Sequence, residues 1–87
     1  MPLIFPNESR SFDEVRSCVR FSGYDGMFEV PFLIEAEALA KLGSAEATEA
    51  SCLKIFDRTR EAIHDAARRA YSRTRRKIYF LTAADLP

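Results

Sequence analysis

One histidine and two cysteines are the side chains best suited to nucleophilic or soft-metal chemistry in this chain: His64, Cys18 and Cys52. A Cys–His pair needs the imidazole beside the thiol, so that proton transfer leaves a thiolate. Cys52 precedes His64 by twelve residues on what reads as one helix, a separation of about 18 Å at the helical rise. It is no partner. Cys18 is not excluded by spacing, and reads more simply as a small apolar filler. A metal site would need further ligands at helical or CxxC spacing, and no second histidine, HExxH or CxxC is present. GxSxG, P-loop and GxGxxG patterns are also absent, and three glycines do not build a phosphate-cradling loop. Paired carboxylates remain. Glu35/Glu37 form one set, and Asp57, Glu61 and Asp65 line one helix face at i, i+4, i+8. Arg58, Arg60, Arg68 and Arg69 surround that row, which reads as a solvated ion-pair surface. The expectation is a protein without catalytic residues, metal or cofactor.

The strongest functional signal is electrostatic. Residues 1–65 carry seven Lys/Arg against twelve Asp/Glu, and residues 66–87 carry six against one, although the formal net charge is zero. Arg68, Arg69, Arg73, Arg75, Arg76 and Lys77 supply this basic block. Arg69, Arg73 and Arg76 form a stripe at i, i+4, i+7 if the helix continues. Guanidinium groups suit phosphate or carboxylate, and they also complement the dipole at a helix C-terminus. With Tyr79 and Leu81, these six residues form the expected interaction surface. A pI near 6.6 and the lack of Asn or Gln after Asn7 argue against a dedicated nucleic-acid binder. On the simplest reading the cations are solvent-facing and pair with Glu29, Glu35 or Glu37.

The elements that position these residues follow from periodicity. Residues 1–15 read as a loosely structured segment, with Leu3–Phe5 as a very short strand and Phe12 as an apolar anchor in a loop. Residues 16–34 read as a β-hairpin. Val19 and Phe21 alternate with Cys18, Arg20 and Ser22; Asp25-Gly26 supplies a type I′ turn with positive φ at Gly26; Phe28, Val30, Phe32 and Ile34 share the return face. Pro31 lacks an N–H, which predicts an edge strand. Residues 35–42 read as a short helix stopped by Gly43, and residues 50–73 as the main helix, with one apolar stripe through Cys52, Phe56, Thr59, Ile63, Ala66 and Ala70. Residues 77–82 read as a third strand beside the first, with Tyr79 and Leu81 on its outer face. Thr82–Asp85 then reads as a one-turn helix capped by Thr82. The predicted fold is α+β, a two-layer ββααβ unit with a three-stranded antiparallel sheet and two helices on one face. Its core is Phe21, Phe28, Val30, Phe32, Phe56 and Ile63. A partly apolar outer sheet face, including Met27 and Leu33, would need a cover: the Leu3–Phe12 segment or a second subunit.

Phe5-Pro6-Asn7, Val19-Arg20-Phe21, Phe56 and the closing Leu81-Thr82-Ala83-Ala84-Asp85-Leu86 resemble the domain-of-unknown-function family numbered 1488, over essentially the whole chain. Members of that family often carry Gly where this chain has Thr74. The resemblance implies a small single-domain bacterial cytosolic protein with an α+β fold. It supplies no functional residues.

Size and composition agree with that class. Eighty-seven residues, 47% of them hydrophobic, with seven Phe and three Tyr, suit one small globular domain. No apolar run approaches the ~20 residues that cross a bilayer, and the start lacks a cationic, then apolar, secretory signal. The cysteines are therefore expected as reduced thiols in the cytoplasm. The functional expectation is a non-enzymatic interaction module whose partner is a second copy or another protein, with no membrane partner. Weak polyanion binding through the Arg68–Lys77 block is the alternative.

Overall fold

Gly26 sits at φ 62° and opens the two-residue turn Gly26–Met27, and the hairpin built on it is the centre of the sheet. Positive φ at the first central residue alone is the pattern of a type II′ turn rather than the expected I′. The computed structural model describes residues 3–86; Met1 and Pro2, part of the expected loose segment, and Pro87 lie outside them. The elements are β1 (Arg10–Asp13), β2 (Cys18–Asp25), β3 (Phe28–Glu35), α1 (Ala36–Gly43), α2 (Glu49–Arg58), α3 (Arg60–Arg73) and β4 (Tyr79–Leu81), closed by a 3₁₀ turn over Ala83–Asp85.

The sheet has four strands in the order β1-β2-β3-β4, and β4 runs parallel to β3. Both points correct the three-stranded antiparallel prediction. The segment expected to be loose pairs with the sheet: β1 lies antiparallel to β2, and Ile4 bridges Tyr24. Phe12 is the only apolar residue of β1, so alternation is too weak there to announce a strand. The return strand β3 is central, not an edge. Counting back from the two-residue turn, Gly23/Val30 and Phe21/Phe32 exchange ladder hydrogen bonds, so Pro31, opposite Ser22, turns its nitrogen away from β2. On that side β4 accompanies only Phe32–Ile34. The missing N–H falls just beyond the parallel ladder, where it costs nothing.

The single main helix is two. Thr59 has φ −115°, ψ 22°, and separates α2 from α3. Its hydroxyl donates to the Ile55 carbonyl at 2.7 Å, alongside its own N–H at 2.9 Å. A threonine that back-bonds to the i−4 carbonyl crowds the ladder and bends the helix. Helix α1 also ends differently from expectation. Ser44, not Gly43, takes the left-handed conformation (φ 52°) that stops it. Gly43 is needed for proximity, since a Cβ there would stand 2.5 Å from Ile55 Cδ1. The final turn is as predicted: Thr82 Oγ1 accepts from Ala84 N at 3.3 Å, and Asp85 Oδ2 accepts from Thr82 N at 2.8 Å.

All three helices cover one sheet face. Val19, Phe21, Val30, Phe32 and Ile34 meet Phe56, Ile63, Ala66 and Ala67 in one buried cluster. Of the six predicted core residues, only Phe28 is misplaced. It shares the inward parity of Val30, yet it flanks the turn beyond the helices and is 78% exposed. Tyr79 and Leu81 correct the prediction in the opposite sense. They lie opposite Phe32 and Ile34, and so face the core rather than solvent. The outer sheet face is mostly polar. Leu33 is fully buried between Arg20 and Phe80, and the exposed large apolar residues of that face are Phe80 and, beside Tyr24, Ile4.

Candidate functional site

The end of α3, the linker 74–78 and the tip of the β2–β3 hairpin converge at one pole of the molecule, and hydrogen bonds tie them there. Tyr71 Oη donates to Asp25 Oδ2, joining α3 to the hairpin. That bond holds the phenol above its ordinary pKa, because ionisation would leave the donor without a proton beside a carboxylate. Arg75 lies over the Tyr71 ring, 4.0 Å from its centroid, and donates to the Tyr71 carbonyl at 2.6 Å. Tyr79, buried below, accepts from Arg76 N at 3.0 Å and donates to the Thr74 carbonyl at 2.6 Å. The buried Tyr79 thus organises the linker instead of contacting a partner, and Leu81 belongs to the core.

Helix α3 stops at Arg73, with Thr74 extended at φ −156°. Arg76 therefore leaves the helical stripe on which the sequence placed it with Arg69 and Arg73. All six cations of the block are exposed, as expected. Their partners are not those expected. Arg68 bonds Asp65 at 3.0 Å and the Leu3 carbonyl at 3.1 Å, and Arg69 bonds the Asp85 carbonyl at 3.1 Å. No ion pair to Glu29, Glu35 or Glu37 forms among the described residues. Arg73, Arg76 and Lys77 line an open cleft of about 590 Å³ with Ala70, Ile78 and Phe80. Met27 and Phe28 project from the hairpin tip at the same pole, 96% and 78% exposed.

The residues with nucleophilic potential lie elsewhere and apart. His64 stacks on Phe5 with ring centroids 3.8 Å apart and planes 5° apart. Cys18 is on the outer sheet face, so the sheet separates the two. Burial pushes the Cys52 thiol up; burial, then Glu35 and Asp13, do the same for Cys18. Asp57 is held below the usual carboxylate range by its bonds to Arg10 and by the charge of Arg60. Two members of the acid row, Asp57 and Asp65, are thus in ion pairs.

His64 gives a pH prediction. Burial, reinforced by Arg60 and Arg68, lowers its pKa to about 4, whereas the unfolded imidazole titrates near 6.5. Between those values the unfolded chain binds the extra proton, so stability falls as pH drops through the window. Melting curves from neutral pH to about 4 should show wild type losing Tm more steeply than His64→Phe, which keeps the stacked ring and removes the titration. Carboxylate effects are common to both proteins. Equal slopes would place His64 in bulk solvent.

The Arg block was visible in the sequence; the tyrosine clamps and the exposed tip were not. Asp25 and Tyr71 lie 46 residues apart, and nothing local pairs them. Comparison with curated proteins returned no match. A crystal structure of a protein of unknown function from the same family, from Shewanella loihica PV-4, superposes with a TM-score of 0.75 at 19% identity, over 82% of this chain and 78% of that one. At that identity the likeness speaks for the fold. The family model described as "Protein of unknown function (DUF1488)" matches residues 3–81, and with the fold in agreement, the chain belongs to the DUF1488 family.

Proposed function

We propose that this protein is a non-enzymatic interaction module that docks an anionic surface on its cationic pole. The observation that supports this reading is the cluster of Arg73, Arg76 and Lys77 around one open cleft, without acidic partners among the described residues, on a chain of zero formal charge. The clamps from Tyr71 and Tyr79 pre-order the linker and so lower the entropy cost of docking. A second copy seated on the outer sheet face has less support, because Leu33 is already covered and the exposed apolar residues there, Ile4 and Phe80, lie toward opposite edges of the sheet.

Retention on a heparin column tests the pole. Arg73→Glu with Arg76→Glu and a control pair, Lys54→Glu with Arg58→Glu, each move the formal charge from zero to −4, since every reversal subtracts two. Wild type and the control should be retained at low salt and elute with rising salt, and the pole variant should flow through. Failure of wild type to bind, or equal loss in both variants, would overturn the reading.

A further inference from the structure

The hairpin tip supplies chemistry that the cations lack. Met27 and Phe28 are consecutive apolar side chains, 96% and 78% exposed, on a two-residue turn. The Tyr71–Asp25 bond and the Arg75–Tyr71 stack tether that turn to the basic linker. The parallel register runs the same way: Tyr79 lies opposite Phe32, so the residues before Tyr79 extend toward the end of β3 that carries Phe28. The acids nearest the tip are already engaged, Asp25 by Tyr71 and Glu29 by the Ser22 hydroxyl at 2.6 Å. Four cations, Arg73, Arg75, Arg76 and Lys77, thus stand behind a convex apolar point flanked by two acids.

Resting on the reading of the pole as an anion-docking site, we propose that its partner is an anionic lipid bilayer surface, with Met27 and Phe28 entering the headgroup–acyl boundary. A protruding pair of apolar side chains needs a matching pocket on a protein partner, whereas a bilayer admits it anywhere. Juxtamembrane cations are drawn to anionic leaflets within a Debye length, and large apolar side chains gain by leaving water. Neither contribution alone anchors a domain; the pair of signals does. The sequence pointed away from membranes because no apolar run approaches the ~20 residues that cross a bilayer, and its placing of Phe28 in the core hid the exposed tip. No helix among the described residues is long and apolar enough to span one, and a surface site does not need one.

The test uses the whole chain with vesicles of phosphatidylcholine alone or mixed with phosphatidylglycerol. Co-sedimentation should favour the anionic vesicles by at least about tenfold, and added salt should reverse it. Met27→Ser with Phe28→Ser, which leaves Gly26 in place, should weaken that binding by at least about tenfold and leave heparin retention unchanged. The chain has no tryptophan, so Phe28→Trp gives a single reporter, whose emission should shift to the blue on anionic vesicles only. Heparin retention without vesicle binding would overturn the lipid proposal, leave the pole reading standing and point to an acidic protein or nucleic acid. Vesicle binding untouched by the serine pair, with no blue shift, would overturn insertion. Failure of the wild-type chain to bind either heparin or anionic vesicles would overturn both readings.

Discussion

Replacing Phe56 by alanine should remove about 3–5 kcal/mol of stability, the range for deleting a buried aromatic ring. Phe56 is fully buried on α2, its ring 5.1 Å from that of Phe21 and 5.0 Å from the Arg60 guanidinium. It is the knob that seats the helical layer on β2. At roughly 0.05–0.15 kcal/mol per residue, an 87-residue domain has about 4–13 kcal/mol in all, so this single change takes roughly a quarter or more of the total. Urea denaturation should show a lowered midpoint at unchanged slope, and Tm should fall by more than about 12 °C. A loss below about 1 kcal/mol would mean that α2 packs through another face.

The second large effect lies where α1 meets α2. A Cβ on Gly43 would stand 2.5 Å from Ile55 Cδ1, 2.6 Å from Cγ1 and 3.3 Å from Cγ2. Ile55 is 5% exposed, and a β-branched side chain on a helix has essentially one favoured χ1, so it has little room to withdraw. Gly43→Ala should therefore cost about 1–3 kcal/mol through overpacking, even though alanine is favoured over glycine in a helix by up to about 1 kcal/mol. In an Ile55→Ala background the same change should become neutral or stabilising. That reversal of sign in a double-mutant cycle separates a steric clash from a backbone effect. Additive losses would remove the clash as the cause.

Elements governed by neighbours in sequence were legible, and those governed by distant partners were not. Alternation placed β2, Gly26 marked the turn, the apolar stripe marked the helical layer, and Thr82 marked the closing turn. Each of these rests on contacts within a few residues. The choice of β3 over β2 as the partner of β4 is set by β1, which occupies the other edge of β2, and Pro31 was misleading because its nitrogen falls just beyond a short parallel ladder. Thr59 fitted the apolar stripe while its hydroxyl broke the helix. At the site, the basic block could be read from composition. Its scaffold could not, because the sequence placed Tyr79 on the outer face, and nothing near Tyr71 or Tyr79 in the chain shows that their hydroxyls reach Asp25, Thr74 and Arg76.

The placement of Pro31 has a consequence beyond topology. Phe28–Ile34 is an almost uninterrupted apolar, β-favouring segment, the kind that stacks into cross-β assemblies when exposed during synthesis or refolding. A proline in its middle interrupts any such intermolecular ladder, while in the native sheet its missing donor falls where none is required. The finished sheet is guarded in another way. Its long strands of eight residues are interior, and its edges are the four-residue β1 and the three-residue β4. Such short borders offer a neighbouring chain few free backbone groups. The sequence is therefore protected against aggregation twice, by Pro31 before folding is complete and by short edges afterwards.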